Sequence, residues 1–348
     1  MKLHIFNPEH DLALASNLSN FTAPHAGRQL RQDLGWLPAL WADEDDFILV
    51  DNAKNAQRSY ERLRIRIGRG HRQFVDKFQL NSLDITEVHP WGWNLALRSY
   101  LLRYGVKAVP SEDYIAGVRE LSHRRYAVSL LSLLQGSGVT GLSCETDCMT
   151  DILEFLRQYG VIVVKAPWSS SGRGVRFFKD ALNEPQERWI HNIIDRQGSV
   201  IVEPYYHKVR DFGMEFESDG HGCVRYSGLS LFLTKNGAYK GNVIMSEDMK
   251  AELLNRYISI ELLQEVQEKI SKELGNLYKD KYKGPFGVDM MIIAHPSGGF
   301  LLDPCVEINL RRTMGHVALS FPPFTDGLPR VMQIVLTDKY RMQVRKQK

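Results

Sequence analysis

The sequence predicts a mixed fold of the α/β (α+β) class, and three observations carry that prediction. A short apolar segment near the start, Leu3–Phe6, is typical of a β-strand that opens into a polar turn. Apolar strand-like segments and segments of helical periodicity then alternate along the chain. Near the other end, Gly284–Gly315 is typical of two strands joined by a turn of proline, serine and two glycines.

The composition is that of an ordinary globular protein. The chain has 348 residues, enough for two or three domains, with 43% hydrophobic and 24% charged residues. Its net charge of +3 is too small to imply a nucleic-acid or membrane partner, so we expect neither. The start of the chain lacks the apolar core of a signal peptide. No apolar run approaches the roughly 18 residues of a membrane-spanning helix.

The cysteines form no C-x-x-C pair: Cys144, Cys148, Cys223 and Cys305. Their spacing therefore indicates neither a zinc ribbon nor a disulfide framework. A reducing compartment suits such a chain, and we expect a cytoplasmic location.

The polar turn after the first strand allows two interpretations. Loops at this position of an open α/β sheet often bind ligands, so His10, which is flanked by Glu9 and Asp11, could touch a substrate. Alternatively, Asp11 caps a short helix that begins at Leu12. A second strand is predicted at Phe47–Val50.

A run of arginines follows the second strand. Arg62, Arg64 and Arg66 alternate with apolar residues, and Arg69 and Arg72 come next. A period of two predicts a strand with one basic face. Such a face could receive an anionic substrate or RNA; the alternative is an edge strand that its charges protect from aggregation.

Two helices are predicted next. Ser111 is placed to cap the first, and Ser122 to cap the second, which would span His123–Leu134. Arg124 and Arg125 would then lie in the first turn of the second helix, where positive charge opposes the helix dipole. This placement favours an anionic partner for these arginines.

A strand that ends in a lysine, Val161–Lys165, leads into a loop of serines and glycines at 169–174 and a further strand at Arg176–Phe178. The tip of such a hairpin offers backbone N–H groups, hydroxyls and one arginine, which suits the wrapping of phosphates. It is not a P-loop, because G-x-x-x-x-G-K-[ST] is absent from the segment.

The remaining segments complete the alternation of strands and helices. They are a helix at Glu184–Arg196, strands at Ser199–Glu203, Asp211–Glu217 and Val224–Leu233, an amphipathic helical region at Ser246–Leu274 that breaks near Ser259, and a final helix at Leu328–Tyr340 before a solvated basic tail at Arg341–Lys348. We expect the amphipathic region to cover the sheet that carries the C-terminal hairpin.

Polar residues mark one face of that hairpin. Glu307 and Asn309 share a strand face about 7 Å apart, and Asp289 of the other strand joins them if the two strands pair. Two carboxylates and an amide oxygen form a hard-oxygen site that suits Mg²⁺ held jointly with phosphate. Arg311, farther along the same face, could grip a phosphate or carboxylate through two hydrogen bonds. The alternative is a solvated strand edge.

These motifs follow one another at ordered intervals, and together they resemble the ATP-grasp superfamily. VVKAPWSSSGRGV resembles the lysine and glycine-rich lid of that superfamily, VIVEPYY its inter-domain hinge, and GPFGVDMM and VEINLRRTMG its metal-binding strands. The resemblance covers residues 110–320. It implies an ATP-grasp fold of two α+β subdomains that clasp ATP, at 111–200 and 201–348, after an N-terminal Rossmann-like α/β domain at 1–110.

The resemblance also implies a role for each matching residue. Nucleotide contacts would come from Arg124 (or its neighbour Arg125), Lys165, Ser169, Ser170, Ser171, Gly172, Arg173, Gly174, Glu203, Tyr205, Tyr206 and Asn242. One or two Mg²⁺ ions, or Mn²⁺ in their place, would be held by Asp289, Glu307 and Asn309. Catalysis would fall to Arg311, which would steady the transferred phosphoryl group, and to Lys240 near the γ-phosphate.

The implied activity is that of an ATP- and Mg²⁺-dependent carboxylate–amine ligase. Such an enzyme activates a carboxylate as an acylphosphate and lets an amine attack it, which yields ADP, phosphate and an amide or peptide bond. The alternatives are a small-molecule kinase with the same fold and a non-catalytic nucleotide-binding protein. The partners would be small carboxylate and amine substrates, and the resemblance also allows a homodimer.

Overall fold

The computed structural model describes residues 1–169, 174–235, 238–322, 324 and 326–346. Its strands are β1 (Lys2–Ile5), β2 (Phe47–Leu49), β3 (Gln73–Val75), β4 (Glu87–Pro90), β5 (Cys144–Thr146), β6 (Val161–Lys165), β7 (Val175–Lys179), β8 (Val200–Pro204), β9 (Lys208–Ser218), β10 (Val224–Ser230), β11 (Phe232–Lys235), β12 (Ala238–Ile244), β13 (Gly284–Ala294), β14 (Phe300–Asn309), β15 (Arg330–Leu336) and β16 (Tyr340–Lys346). Its α-helices are α1 (His10–Ser16), α2 (His25–Leu34), α3 (Ala53–Ile67), α4 (Leu95–Arg103), α5 (Glu112–Leu121), α6 (Arg125–Leu133), α7 (Met149–Tyr159), α8 (Glu184–Gln197), α9 (Glu247–Asn255), α10 (Ile260–Tyr278) and α11 (Met314–Leu319).

The N-terminal sheet is parallel, in the order β3-β2-β1-β4. Along the chain, α-helices separate β1 from β2 and β2 from β3, and a 3₁₀ helix at Leu80–Ser82 separates β3 from β4. This arrangement confirms the expected N-terminal Rossmann-like α/β unit.

The prediction of a basic strand in the arginine run was wrong, because this segment belongs to helix α3. The Asn52 side chain caps the helix by accepting a hydrogen bond from the Asn55 amide at 2.9 Å. Ala56, Tyr60 and Ile67 are buried at helical spacing and outweigh the local alternation of charge.

The second sheet is antiparallel, in the order β5-β8-β6-β7. The predicted strand-loop-strand hairpin is confirmed, because β6 pairs with β7 and Lys165 lies opposite Val175. Four residues of the predicted phosphate loop lie outside the described residues: Ser170, Ser171, Gly172 and Arg173.

One predicted helix cap near this sheet was wrong. Ser122 was expected to begin a helix, but it closes helix α5, where its hydroxyl donates a hydrogen bond to the Val118 carbonyl at 2.7 Å. Helix α6 begins three residues later, and Arg124 occupies its N-cap position.

The third sheet has the order β10-β9-β13-β14 and is also antiparallel. It contains the predicted C-terminal hairpin. The predicted break in the amphipathic region is confirmed, because Ser259 caps helix α10 by accepting a hydrogen bond from the Leu262 amide at 3.2 Å. Apolar residues of this helix pack in one core with the sheet, where Phe286 lies 5.1 Å from Tyr278, ring centre to ring centre.

The fourth sheet, in the order β11-β12-β15-β16, overturns two expectations about the C-terminus. The segment predicted as a final helix and solvated tail forms the antiparallel pair β15 and β16. Tertiary contacts decide this: Val331 and Met332 are buried, and the Tyr340 amide donates to an Asp33 carboxylate oxygen at 2.8 Å.

The N-terminal region and the fourth sheet share one hydrophobic core. Phe6, Leu34 and Trp91 pack there with Val317 and Met332. The domain boundaries at 110 and 200 remain a prediction. Among the described helices, none is long and apolar enough to cross a membrane.

Candidate functional site

Two carboxylates face each other on the C-terminal hairpin. Asp289 of β13 lies directly opposite Glu307 of β14 in the register of the two strands. The side-chain nitrogen of Asn309 donates a hydrogen bond to Asp289 at 3.1 Å. Burial, together with the negative charges of Glu307 and Glu215, raises the pKa of Asp289 to about 8. A cation bound between these groups would relieve that repulsion.

Arg311 binds the carboxylate of Asp11 through two hydrogen bonds. A two-hydrogen-bond contact with a carboxylate or phosphate was predicted for this arginine, and here the partner is a residue of the protein. Its Nε and Nη2 atoms donate to the two oxygens of Asp11 at 2.7 and 2.8 Å. Nη2 also lies 3.0 Å from the Asn309 side-chain oxygen. Although burial lowers the pKa of Arg311, the Asp11 charge outweighs it and raises that pKa above its ordinary value.

In the turn after β1, the interpretation that Asp11 caps the short helix was wrong. Asp11 lies in the first turn of helix α1, but Glu9 occupies the N-cap position. Burial raises the pKa of Asp11, but Arg311 outweighs it, so the net pKa is below the ordinary value. His10 is buried and packs so closely on Gly92 that a side chain there would meet its ring at 2.6 Å.

Arg124 connects the hairpin to the predicted phosphate loop. Its guanidinium is buried, and Nη2 donates to a Glu307 oxygen at 2.6 Å. Nη1 donates to the Ser169 hydroxyl at 2.9 Å and to the Ala166 carbonyl. The neighbouring Arg125 points outward to acidic surface residues, so Arg124 is the arginine at the candidate site.

Lys165 and Glu203 form a second buried pair beside the hairpin. The ammonium nitrogen lies 2.7 and 2.6 Å from the two Glu203 oxygens. It also donates to the Val306 carbonyl at 3.2 Å, one residue before Glu307. Ser143 completes the surroundings of Glu203 with a hydrogen bond at 3.2 Å.

The hairpin cluster of Asp289, Glu307, Asn309 and Arg311 borders a cavity of about 570 Å³, whereas Arg124, Lys165 and Glu203 are not among its described lining residues. Its described lining comes from the N-terminal region, the third and fourth sheets and the start of α11: Phe6, Pro8, Asp11, Leu30, Leu34, Trp91, Glu215, Ser230, Phe232, Thr234, Tyr239, Asn242, Asp289, Glu307, Asn309, Arg311, Thr313, Met314, Gly315, Ile334 and Tyr340. A smaller cavity of about 120 Å³ lies beside β1 and α4. The larger one is the candidate site, because it contains the carboxylate cluster.

Other predicted site residues lie farther from the cluster or have structural partners. Asn242 is buried, lines the cavity and donates to the Ser230 hydroxyl at 2.9 Å. Lys240 is exposed and is not part of the described lining. Tyr205 is 47% exposed. Burial raises the pKa of Tyr206 to about 12.

The last described residue of the predicted loop, Gly174, is tied to the end of β6 through its backbone. Its carbonyl accepts a hydrogen bond from the Ala166 amide at 2.7 Å. A side chain at Gly174 would meet the Ser169 side chain at 2.4 Å, so glycine permits the close approach of these two residues.

Comparison with solved structures shows the fold. N5-Carboxyaminoimidazole synthetase from Staphylococcus aureus is 13% identical, with a TM-score of 0.50 over 96% of this chain and 82% of that one. An ATP-grasp superfamily protein from Archaeoglobus fulgidus is 13% identical, with a TM-score of 0.49 over 100% of both chains. The likeness to the synthetase, at a TM-score of 0.50, shows that this chain has the ATP-grasp fold. No protein-family model and no curated protein matches the sequence.

The hairpin of this ATP-grasp fold has the donor atoms that Mg²⁺ prefers, namely two carboxylates and one amide. Within the described ranges, no group of three or more His, Cys, Asp and Glu side chains is placed to hold a metal ion. The Asn309 amide directs its nitrogen to Asp289 and its oxygen to Arg311. For the Asn309 oxygen to bind a metal ion beside Asp289, the side-chain amide would have to flip, which exchanges its oxygen and nitrogen.

One buried carboxylate of the site was not predicted from the sequence. Glu215 is 3% exposed and lines the cavity. A signal was present in the sequence, because Phe212, Met214 and Phe216 alternate along β9 and face the core, which leaves Glu215 on the other face. The pairing of Asp11 with Arg311 had no such signal, since 300 residues separate them.

Proposed function

We propose that this protein is an ATP- and Mg²⁺-dependent ligase that joins a carboxylate to an amine and releases ADP. The observation that carries the proposal is the meeting of Asp289, Glu307, Asn309 and Arg311 at one end of a cavity large enough for small substrates. The ATP-grasp fold supports it, as a fold that clasps a nucleotide. A cytoplasmic location remains our expectation.

The cationic side chains of the site would act by position and charge. Phosphoryl transfer needs alignment and neutralisation of oxygen charge more than it needs a covalent catalyst. Lys165 would contact the α- and β-phosphates, and Arg124 would reach the phosphates from its place between Glu307 and Ser169. Arg311 is already held rigidly by Asp11 and would stabilise the charge of the phosphoryl group in flight.

Mg²⁺ would be held by Asp289, Glu307 and Asn309, and when bound it would neutralise charge on the β- and γ-phosphate oxygens. Positive charge from Arg124 already reaches one Glu307 oxygen. A cation at that carboxylate would reduce its hold on Arg124 and leave the guanidinium available for phosphate.

The reaction would proceed in two balanced steps. A carboxylate oxygen forms a bond to the γ-phosphorus while the bond to the bridging oxygen breaks, so ADP leaves with that electron pair. The amine nitrogen then bonds to the carbonyl carbon, and the phosphate leaves with the electron pair of the broken C–O bond and the proton of the amine. The apolar walls of the cavity, including Trp91 and Phe232, would keep water from the acylphosphate.

The test is ADP release from MgATP by the purified protein with pooled carboxylic acids and amines. We expect release that depends on both an acid and an amine. Lys165→Met should lower kcat/KM about a hundredfold, because it removes one preorganised charge. Lys179→Met is the matched control, since Lys179 is an exposed lysine of β7 in the same sheet, and its activity should equal that of the wild type.

Two outcomes would contradict the ligase. A stable phosphorylated product from a hydroxyl compound, without free phosphate, would establish a kinase. Tight MgATP binding with no turnover on any acid and amine would favour a non-catalytic nucleotide-binding protein.

A further inference from the structure

Glu215 is a buried carboxylate in the wall of the cavity, and one of its oxygens receives no hydrogen bond from the described residues. Its side chain is 4% exposed, and within the part of the chain that the structure describes no donor satisfies its Oε2 atom. An unpaired carboxylate oxygen away from water costs free energy. Buried charged groups are therefore usually matched by a partner or by a ligand.

The nearest nitrogen does not serve as that donor. Nδ1 of His316 lies 3.0 Å from the Glu215 Oε2 atom. The opposite ring nitrogen, Nε2, faces the Phe216 carbonyl at 3.2 Å and so carries the proton. Nδ1 accepts a hydrogen bond from the Thr313 amide at 3.2 Å, which uses its lone pair. His316 in this tautomer offers Glu215 no proton.

The chain makes room for this carboxylate at two glycines. A Cβ atom at Gly287 would lie 2.6 Å from Oε2 of Glu215, and a Cβ atom at Gly315 would lie 1.8 Å from its Oε1. Both separations are far below van der Waals contact. Any other residue at either position would displace Glu215, so the local backbone is built around its carboxylate.

The charges and surface of the cavity define what would fit beside Glu215. Among the described lining residues there are four carboxylates and one guanidinium: Asp11, Glu215, Asp289, Glu307 and Arg311. The guanidinium is paired with Asp11. In the proposed reaction Mg²⁺ and Arg311 would hold the γ-phosphate of ATP, and the remaining carboxylates of the lining would attract a cation and repel a second phosphate group on the other substrate. The lining also contains apolar side chains, among them Leu34, Trp91, Phe232 and Ile334.

We propose that Glu215 binds the amino group of the second substrate, and that this substrate is a primary amine with an apolar body and no phosphate group. The inference rests on the proposed ligase function and names the substrate class of the same site. Glu215 pairs in register with Gly287, two residues from Asp289, so a bound amine would lie about 7 Å along the sheet from the cluster.

The experiment separates amine binding from acid activation. Hydroxylamine is a small uncharged nucleophile that converts an acylphosphate into a hydroxamate. Because it carries no positive charge, this reaction does not need a residue that binds a cation. Wild-type protein and Glu215→Gln receive MgATP, pooled carboxylic acids and either hydroxylamine or a probe amine. The probes are phenylethylamine and isoamylamine as apolar amines, and O-phosphoethanolamine as a phosphorylated one.

Amide and hydroxamate formation are compared within each protein, so an effect of Glu215→Gln on acid activation cancels, and we expect the ratio of the two rates at low amine concentration to fall in the variant. Its KM for phenylethylamine should rise about ten- to a hundredfold, because one charge-assisted contact is lost, while kcat changes little. Glu217→Gln is the matched control, because Glu217 lies two residues along the same strand, is exposed and pairs with Arg225 at 2.7 Å. Its KM should equal the wild-type value.

A second measurement needs no variant. In the wild type, 2-phenylethanol is the neutral counterpart of phenylethylamine. We expect the inhibition constant of 2-phenylethanol to be at least about tenfold higher than the KM of phenylethylamine, because Glu215 selects a cation.

Each further outcome decides a different point. Unchanged amine KM in Glu215→Gln, or equal use of O-phosphoethanolamine and phenylethylamine, would overturn the inference and leave the ligase intact. Hydroxamate formation without use of either apolar amine would also overturn it. Failure of the wild type to form hydroxamate from any acid would overturn the ligase itself, and the inference with it.

Discussion

The ion pair between Asp11 and Arg311 should be a measurable support of the fold. It joins the first helix of the chain to the end of the C-terminal hairpin across 300 residues. Asp11→Asn keeps the size of the side chain but removes its charge. The Arg311 guanidinium would then be buried without a carboxylate partner, which is the costly way to break a buried pair.

The size of the loss follows from the burial of the pair. Breaking a fully buried pair costs about 3–5 kcal/mol. Asp11 is 21% exposed at its side chain and Arg311 15%, so the lower end of that range applies. Unfolding entropy of about 2.1 cal/mol/K per residue, over the 348 residues of the chain, converts a loss of about 3 kcal/mol into a fall in Tm of about 4 °C.

Thermal unfolding followed by circular dichroism measures this fall. Asp113→Asn is the matched control, because Asp113 also lies in the first turn of a helix but is exposed. That control loses only a helix-dipole interaction of about 0.3–1 kcal/mol. A double-mutant cycle with Arg311→Met isolates the energy of the pair itself. The reasoning would be refuted by equal Tm values for Asp11→Asn and Asp113→Asn.

Two further predictions concern protons and metal. Burial lowers the pKa of three histidines from 6.5 to about 4: His4, His10 and His123. Between those pH values the unfolded chain binds protons that the folded chain does not, so stability should fall as pH falls from 6.5 to 4, by up to about 1.4 kcal/mol per histidine and pH unit. We measure the free energy of unfolding by urea at several pH values. Its dependence on pH should be weaker in His123→Gln and unchanged in His221→Gln, because His221 is exposed. Mg²⁺ at about a hundred times its dissociation constant should stabilise the wild type by about 2.7 kcal/mol, and an equal stabilisation of Asp289→Asn would contradict the proposed ligand.

Local sequence was sufficient where one element carried its own signals. The hairpin of β13 and β14 could be predicted because its glycine turn and its alternation agree. The break before α10 could be predicted because Ser259 is a strong cap for the helix that follows. Lys165 could be placed at the end of a strand because four apolar residues precede it.

Local sequence failed where packing outweighed a short pattern. The arginines of α3 alternate with apolar residues as they would in a strand. Tyr60 and Ile67 are nevertheless buried at helical spacing, and their packing stabilises the helix. The C-terminal segment 328–340 has a pattern that suits a helix, yet β15 pairs with both β12 and β16. Pairing between strands satisfies the hydrogen bonds of backbone groups that are far apart in the sequence. A window of a few residues does not show which distant strand will pair with it.

The sequence by itself therefore determined the class of the fold, the order of its motifs and the chemical character of the C-terminal hairpin, because each depends on residues close together in the chain. The tertiary structure decided which groups meet. It brought Asp11 to Arg311, Arg124 to Glu307 and Glu215 into the cavity wall. Those contacts depend on the packing of separate sheets, which sets the distances between charges and hence their energies.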